Sequence, residues 1–124
     1  MTRLPTRREF VAGPAGRIEC AIDAPGGGAR AGAARGVALI AHPHPLHGGT
    51  LDNKVVQTLA RAFAELGYIA WRPNFRGVGD SEGRYDEGRG EVDDLAAVIE
   101  HLESPPVVLA GFSFGAAMQA RLGE

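Results

Sequence analysis

A chain of 124 residues is one small domain or part of a larger one. With 44% apolar residues it has the material for a core, which argues against wholesale disorder. Its 13 Lys and Arg against 15 Asp and Glu leave a net charge of −2, so charge gives no reason to expect nucleic acid or an anionic membrane as a partner.

The segment Met1 to Phe10 holds Arg3, Arg7 and Arg8 with no apolar run behind them, unlike a secretory signal. Arg7 to Val11 and Arg17 to Ile22 read as two short strands, joined by the Gly/Pro turn chemistry of Ala12 to Gly16. The moderate alternation of the second suggests one wet face. Cys20 is the lone cysteine, which excludes an internal disulfide. Ala24 to Gly36 is rich in Gly and Ala without an apolar period and reads as a flexible surface loop. Val37 to Ala41 is a continuous apolar run, the mark of a strand buried on both faces.

Asn53 to Leu66 is predicted helical, with Val55, Val56, Leu59, Ala62, Phe63 and Leu66 on one face, Asp52 as N-cap and Gly67 as the stop. Tyr68 to Trp71 is a further strand. Pro73 to Gly90 is a long polar loop. Val92, Leu95, Ala96, Ile99 and Leu102 mark a second helix, with Glu91, Asp93 and Asp94 placed at its positive end and Pro105-Pro106 stopping it. Val107 to Ala110 is a buried strand, and Phe114 to Leu122 begins a third helix. The longest apolar runs are too short to cross a bilayer, and a cytoplasmic protein is the default expectation. No internal repeat is visible.

Buried strands alternating with helices imply an α/β fold: a mostly parallel sheet with helices on both faces and an antiparallel N-terminal hairpin. A domain finished at Glu124 would leave its last buried strand as an uncovered edge. The expectation is therefore a single incomplete domain over residues 1–124, truncated after its third helix.

Gly111-Phe112-Ser113-Phe114-Gly115 has the form G-x-S-x-G between a predicted buried strand and a predicted helix, the context of a nucleophile elbow. A sharp strand-to-helix turn puts the serine hydroxyl at the sheet edge, and the flanking glycines let strand and helix come close. The helix start offers unpaired N–H groups to a developing oxyanion, with Phe114 as one donor. The plainer alternative is that Ser113 only caps a helix.

His42-Pro43-His44-Pro45-Leu46-His47-Gly48-Gly49 follows the strand Val37 to Ala41, where the second oxyanion donor of such a site arises. Prolines have no N–H, so Pro43 and Pro45 are excluded. The backbone of His44 is the candidate, with Leu46 behind it. A competing reading takes His42, His44 and His47 as the H-x-H-x-x-H of metallo-β-lactamase-like hydrolases. That pattern has an Asp where this chain has Leu46, so no functional metal site is expected. Gly77-x-Gly79 opens a loop, not a helix, and is a weak dinucleotide signal; no cofactor is implied.

These blocks resemble the α/β-hydrolase superfamily, and within it a group of small bacterial predicted hydrolases similar to dienelactone hydrolase. The resemblance rests on His42 to Thr50 with Asp52-Asn53-Lys54, on Arg72 to Gly79, and on the elbow, and it spans about residues 7 to 122. It implies a Ser, acid, His triad in that chain order. Only Ser113 can be carried over. No His follows it, and Glu124 is the only acid that does. His101, near the end of the second helix, is expected at the opposite end of the sheet. The expected function is a serine hydrolase acting on an ester, thioester or amide of a small-molecule acyl substrate, with this chain lacking the triad acid and His. The alternative is a non-catalytic binding module of the same fold; a His-loop metallohydrolase comes third.

Overall fold

The computed structural model describes residues 6–25, 34–102 and 107–123. Strands β1 (Thr6–Gly13) and β2 (Gly16–Asp23) form the expected hairpin, registered from Thr6 opposite Asp23 to Gly13 opposite Gly16. Most of the loop expected from Ala24 to Gly36, and the Pro105-Pro106 stop, lie outside the described residues. Strand β3 (Val37–Ala41) is buried along its whole length. Helix α1 (Lys54–Glu65), strand β4 (Ile69–Pro73), helix α2 (Arg89–His101), strand β5 (Val107–Gly111) and helix α3 (Phe114–Leu122) follow.

The five strands form one sheet in the order β1-β2-β4-β3-β5. β3 pairs in parallel with both β4 and β5, and β2 pairs antiparallel with both β1 and β4. β2 alone therefore runs against the other four, and the expected mostly parallel sheet with its antiparallel hairpin is the architecture found. Alternate residues of β3 face opposite cores. Val37, Leu39 and Ala41 pack with Leu95 and Val98 of α2 and Met118 of α3. Ala38 and Ile40 pack with Ala70 of β4 and Val56 and Ala60 of α1. One helix covers one face and two cover the other.

Several local expectations need correction. The N-cap of α1 is Asn53, not Asp52: its side-chain oxygen accepts the N–H groups of Val55 (2.9 Å) and Val56 (3.2 Å). A cap reaches amides two and three residues ahead, and Asp52 sits one position too early for a helix starting at Lys54. The buried face of α1 is Val56, Ala60 and Ala64, flanked by Leu59 and Phe63, while Val55, Ala62 and Leu66 are exposed. The small side chains of Ala60 and Ala64 let this helix lie close to the sheet. Helix α2 begins at Arg89, so Asp93 and Asp94 fall past its first turn and only Glu91 stands in it. The Glu91 carboxylate accepts the N–H groups of Asp86 (2.8 Å) and Gly88 (2.9 Å).

β2 has no wet face; Ile18 to Ile22 are all buried. The loop after β4 folds over the side that Glu19 presents. Glu19 accepts hydrogen bonds from Asn74 Nδ2 (2.8 Å) and the Asp80 N–H (2.9 Å) and pairs with Arg8. Burial alone would push its carboxyl up, but these donors outweigh that and hold it below the ordinary carboxylate value. Arg76, at the start of the same loop, forms a two-pronged ion pair with Asp94 of α2 (2.9 and 2.7 Å). Together these contacts anchor the long loop without secondary structure.

His42 directly follows β3, and its side chain is fully buried. Its Nδ1 donates to the Pro43 carbonyl (2.7 Å) and its Nε2 accepts the Phe75 N–H (3.0 Å), joining the ends of β3 and β4. Burial pushes its pKa from the ordinary 6.5 down to about 4, partly offset by the Pro43 carbonyl. Between those values the unfolded chain takes up a proton that the folded ring refuses. The stabilisation is thus full above pH 6.5 and is lost as pH falls toward 4. Replacing His42 by Gln should remove this slope. The difference in unfolding free energy between wild type and His42→Gln, measured by denaturant titration, should shift against wild type by on the order of 3 kcal/mol across that window. A difference that does not vary with pH would show that the buried ring is not the titrating group.

Candidate active site

The segment Gly111 to Gly115 turns from β5 directly into α3. Ser113 occupies the turn at φ 58, ψ −117, a conformation that a residue with a side chain rarely adopts. Two close approaches require it. A Cβ on Gly115 would collide with the carbonyl oxygens of Ala41 and His42, and a Cβ on Gly111 would stand 2.6 Å from the Ala116 amide nitrogen. The Phe112 N–H donates to the Ala41 carbonyl at 3.2 Å, continuing the β3–β5 ladder up to the turn.

Ser113 is exposed, and its side chain does not cap α3. The plain capping reading is therefore excluded. Among the described residues the hydroxyl has no hydrogen-bond partner. The first free amide of α3 belongs to Phe114, which likewise has no acceptor among the described residues, whereas Gly115 N–H is used by the Phe112 carbonyl (3.1 Å).

The loop after β3 ends in a single turn of 3-10 helix, Pro45–His47. The His44 carbonyl accepts the N–H groups of His47 and Gly49, both at 3.0 Å. The Leu46 N–H donates to His44 Nδ1 at 3.1 Å and so is not available to a ligand. The His44 N–H has no acceptor among the described residues. Of the two backbone donors weighed from the sequence, the structure leaves His44 free and occupies Leu46. It also brings the two candidate donors' residues together: the His44 and Phe114 rings lie 4.7 Å apart, centroid to centroid.

The histidines divide by position. His42 uses both ring nitrogens inside the core, which removes the first ligand from the H-x-H-x-x-H reading. Among the described residues, no group of three His, Cys, Asp or Glu side chains is placed to hold a metal ion. His47 stacks on His44 at 4.5 Å. His101 pairs with Glu9 at 3.4 Å, a histidine–carboxylate pair of the kind a triad uses. It lies beside Val37, Ile69 and Trp71, however, at the end of the sheet opposite Ser113, as expected. Among the described residues no histidine bonds to Ser113.

Tyr85 is a site residue that sequence reasoning missed. Its hydroxyl lies 3.2 Å from His44 Nε2, and its ring is 6.2 Å from that of Phe114. The one available signal was its being the only aromatic residue among Phe, Tyr and Trp between Phe75 and Phe112.

Comparison with known proteins places this geometry. A protein of Rickettsia prowazekii without assigned function is 43% identical over 110 residues, covering 84% of this chain and 44% of its own length. An alpha-beta serine hydrolase homologue from Coxiella burnetii superposes with a TM-score of 0.87 at 46% identity, over 99% of this chain and 59% of that one. An α/β serine hydrolase without a lid from Xanthomonas campestris gives 0.88 at 38% identity, over 99% and 58%. The chain thus spans about half the length of the relatives it matches. Residues 38–123 match the alpha/beta hydrolase family, and the chain belongs to that family.

Proposed function

We propose that this chain carries the nucleophile of a serine hydrolase that cleaves an ester, thioester or amide of a small acyl substrate through an acyl-enzyme. The observation that carries the reading is Ser113: a strained, exposed serine whose hydroxyl has no partner among the described residues, set where the Phe114 amide, likewise without an acceptor among them, and the His44 loop meet. Relatives named as serine hydrolases support it.

In this reading Ser113 Oγ attacks the acyl carbon while a base removes its proton. The carbonyl oxygen becomes an oxyanion, held by the N–H groups of His44 and Phe114. Collapse breaks the bond to the alcohol, thiol or amine, which leaves with the proton returned by the base. Water then repeats the sequence on the acyl-serine and frees the acid. In this reading the base and its orienting acid come from other residues: His42, His44 and His101 are each committed elsewhere, and His47 stacks on His44 with no carboxylate paired to it among the described residues. A non-catalytic binding module is the second reading, favoured by the lack, among the described residues, of a histidine bonded to Ser113.

In the full-length protein, a fluorophosphonate probe should label Ser113, with the modified peptide identified by mass spectrometry. Labelling undiminished in Ser113→Ala would end the proposal; no labelling of a folded protein would favour the binding module.

Hydrolysis of a short-chain ester should survive exhaustive treatment with a metal chelator. Activity lost to the chelator and restored by zinc would instead support the His-loop metallohydrolase.

The 124-residue chain alone should turn over that ester slower than the full-length protein by roughly 10³-fold or more, since an unassisted serine is a weak nucleophile at neutral pH. Light scattering should also show it associating, because β5 pairs with β3 on one side only among the described residues. A monodisperse chain with comparable Ser113-dependent turnover would assign the base to one of the histidines present.

A further inference from the structure

The His44 ring is engaged at both nitrogens and on its faces. Nδ1 accepts the Leu46 N–H, and an accepting nitrogen carries no proton. The neutral ring therefore bears its hydrogen on Nε2, which lies 3.2 Å from the Tyr85 hydroxyl and donates to it. His47 stacks on the ring at 4.5 Å, and the Phe114 and Tyr85 rings lie tilted against it at 4.7 and 5.1 Å between centroids.

Tyr85 itself stands on firm ground. The next residue, Asp86, gives its N–H to Glu91 and accepts the Gly90 N–H (3.0 Å), and Gly88 N–H also donates to Glu91. Within this turn Glu87 is held at φ 55. A continuous set of contacts thus runs from the first turn of α2, through Tyr85 and the His44 ring, to the His44 backbone. The flanking prolines limit the loop but leave the His44 peptide free to rotate about the ψ of Pro43 and the φ of His44. The anchored ring removes that freedom by fixing the direction of the His44 Cα–Cβ bond.

We propose that Tyr85 is a positioning residue: through the His44 ring its hydroxyl holds the His44 amide in place as an oxyanion donor. This rests on the reading of Ser113 as the nucleophile. A donor displaced by even a fraction of an ångström loses much of its effect on the transition state and little of its effect on substrate binding.

The test is a cycle of Tyr85→Phe, His44→Asn and the double variant in the full-length protein. Tyr85→Phe keeps the ring and deletes only the hydroxyl. Asn at position 44 can still cap the turn through its side-chain oxygen but cannot span to Tyr85. Steady-state hydrolysis of a short-chain nitrophenyl ester, the rate of fluorophosphonate labelling and thermal melting are measured for each. Tyr85→Phe should lower kcat and the labelling rate on the order of 10-fold, with KM within about twofold and melting unchanged. Adding it to His44→Asn should cost nothing more, because the link is already cut. An unchanged kcat in Tyr85→Phe, a loss confined to KM, or full additivity of the two variants overturns the proposal alone. Turnover that survives Ser113→Ala removes the nucleophile reading and this proposal with it.

Discussion

The structure turns on one contact between backbones: the first turn of α3 lies directly against the last carbonyls of β3. Gly115 makes it possible, since a side chain there would strike Ala41 and His42. Because the helix can come that close, β5 turns into α3 with only Phe112 and Ser113 for a corner, and Ser113 accepts φ 58. Strain of this kind costs on the order of 1–3 kcal/mol and persists only where the surroundings over-determine it. Here the β3–β5 ladder on one side and the helix on the other leave Ser113 no alternative. The exposure of its hydroxyl and the openness of the Phe114 amide are consequences of the same packing.

The remaining edge of the site is organised by polar groups buried under loops. Ser81 Oγ accepts the Glu19 N–H and donates to the Asn74 carbonyl, each at 2.8 Å, while Asn74 Oδ1 accepts the Leu51 N–H at 2.8 Å. Asn74 thereby ties the end of β4 to both the hairpin and the approach to α1. Such a network adds little net stability over apolar packing, but losing one member leaves its partners buried and unpaired at roughly 1–3 kcal/mol each. It specifies one arrangement of the long loop, and that loop delivers Tyr85 to His44.

Sequence reading recovered the elements whose signal is local. Val37 to Ala41 and Phe114 to Leu122 match their predicted bounds because an unbroken apolar run and a G-x-S-x-G turn announce themselves within a few residues. The position of Ser113 in a strand-to-helix turn was legible from local context, and the open N–H groups of His44 and Phe114 from which residues possess one. What was not legible depends on partners distant in the chain. Glu19 in an alternating strand looks solvated until Asn74 and Asp80 are folded over it. Asp94 looks like a charge for the helix dipole until Arg76 is seen against it. Tyr85 and His44 are 41 positions apart, and no spacing rule links them. Asp52 and Asn53 are equally good capping residues in isolation; the register of the helix decides between them.

The reversed direction of β2 bears on the order in which the molecule can assemble. Its outer partner β1 is adjacent in sequence, but its inner partner is β4, and the last residues of the two strands, Asp23 and Pro73, are 50 positions apart. A two-stranded hairpin alone is at best marginally stable in water. On a ribosome adding about 5–20 residues per second, the hairpin waits several seconds for its inner partner to be made. Throughout that interval Val11, Ile18, Cys20 and Ile22, all buried at the end, face solvent on a hairpin with an open edge. The hairpin's inner edge therefore stays open until β4 emerges and closes the sheet.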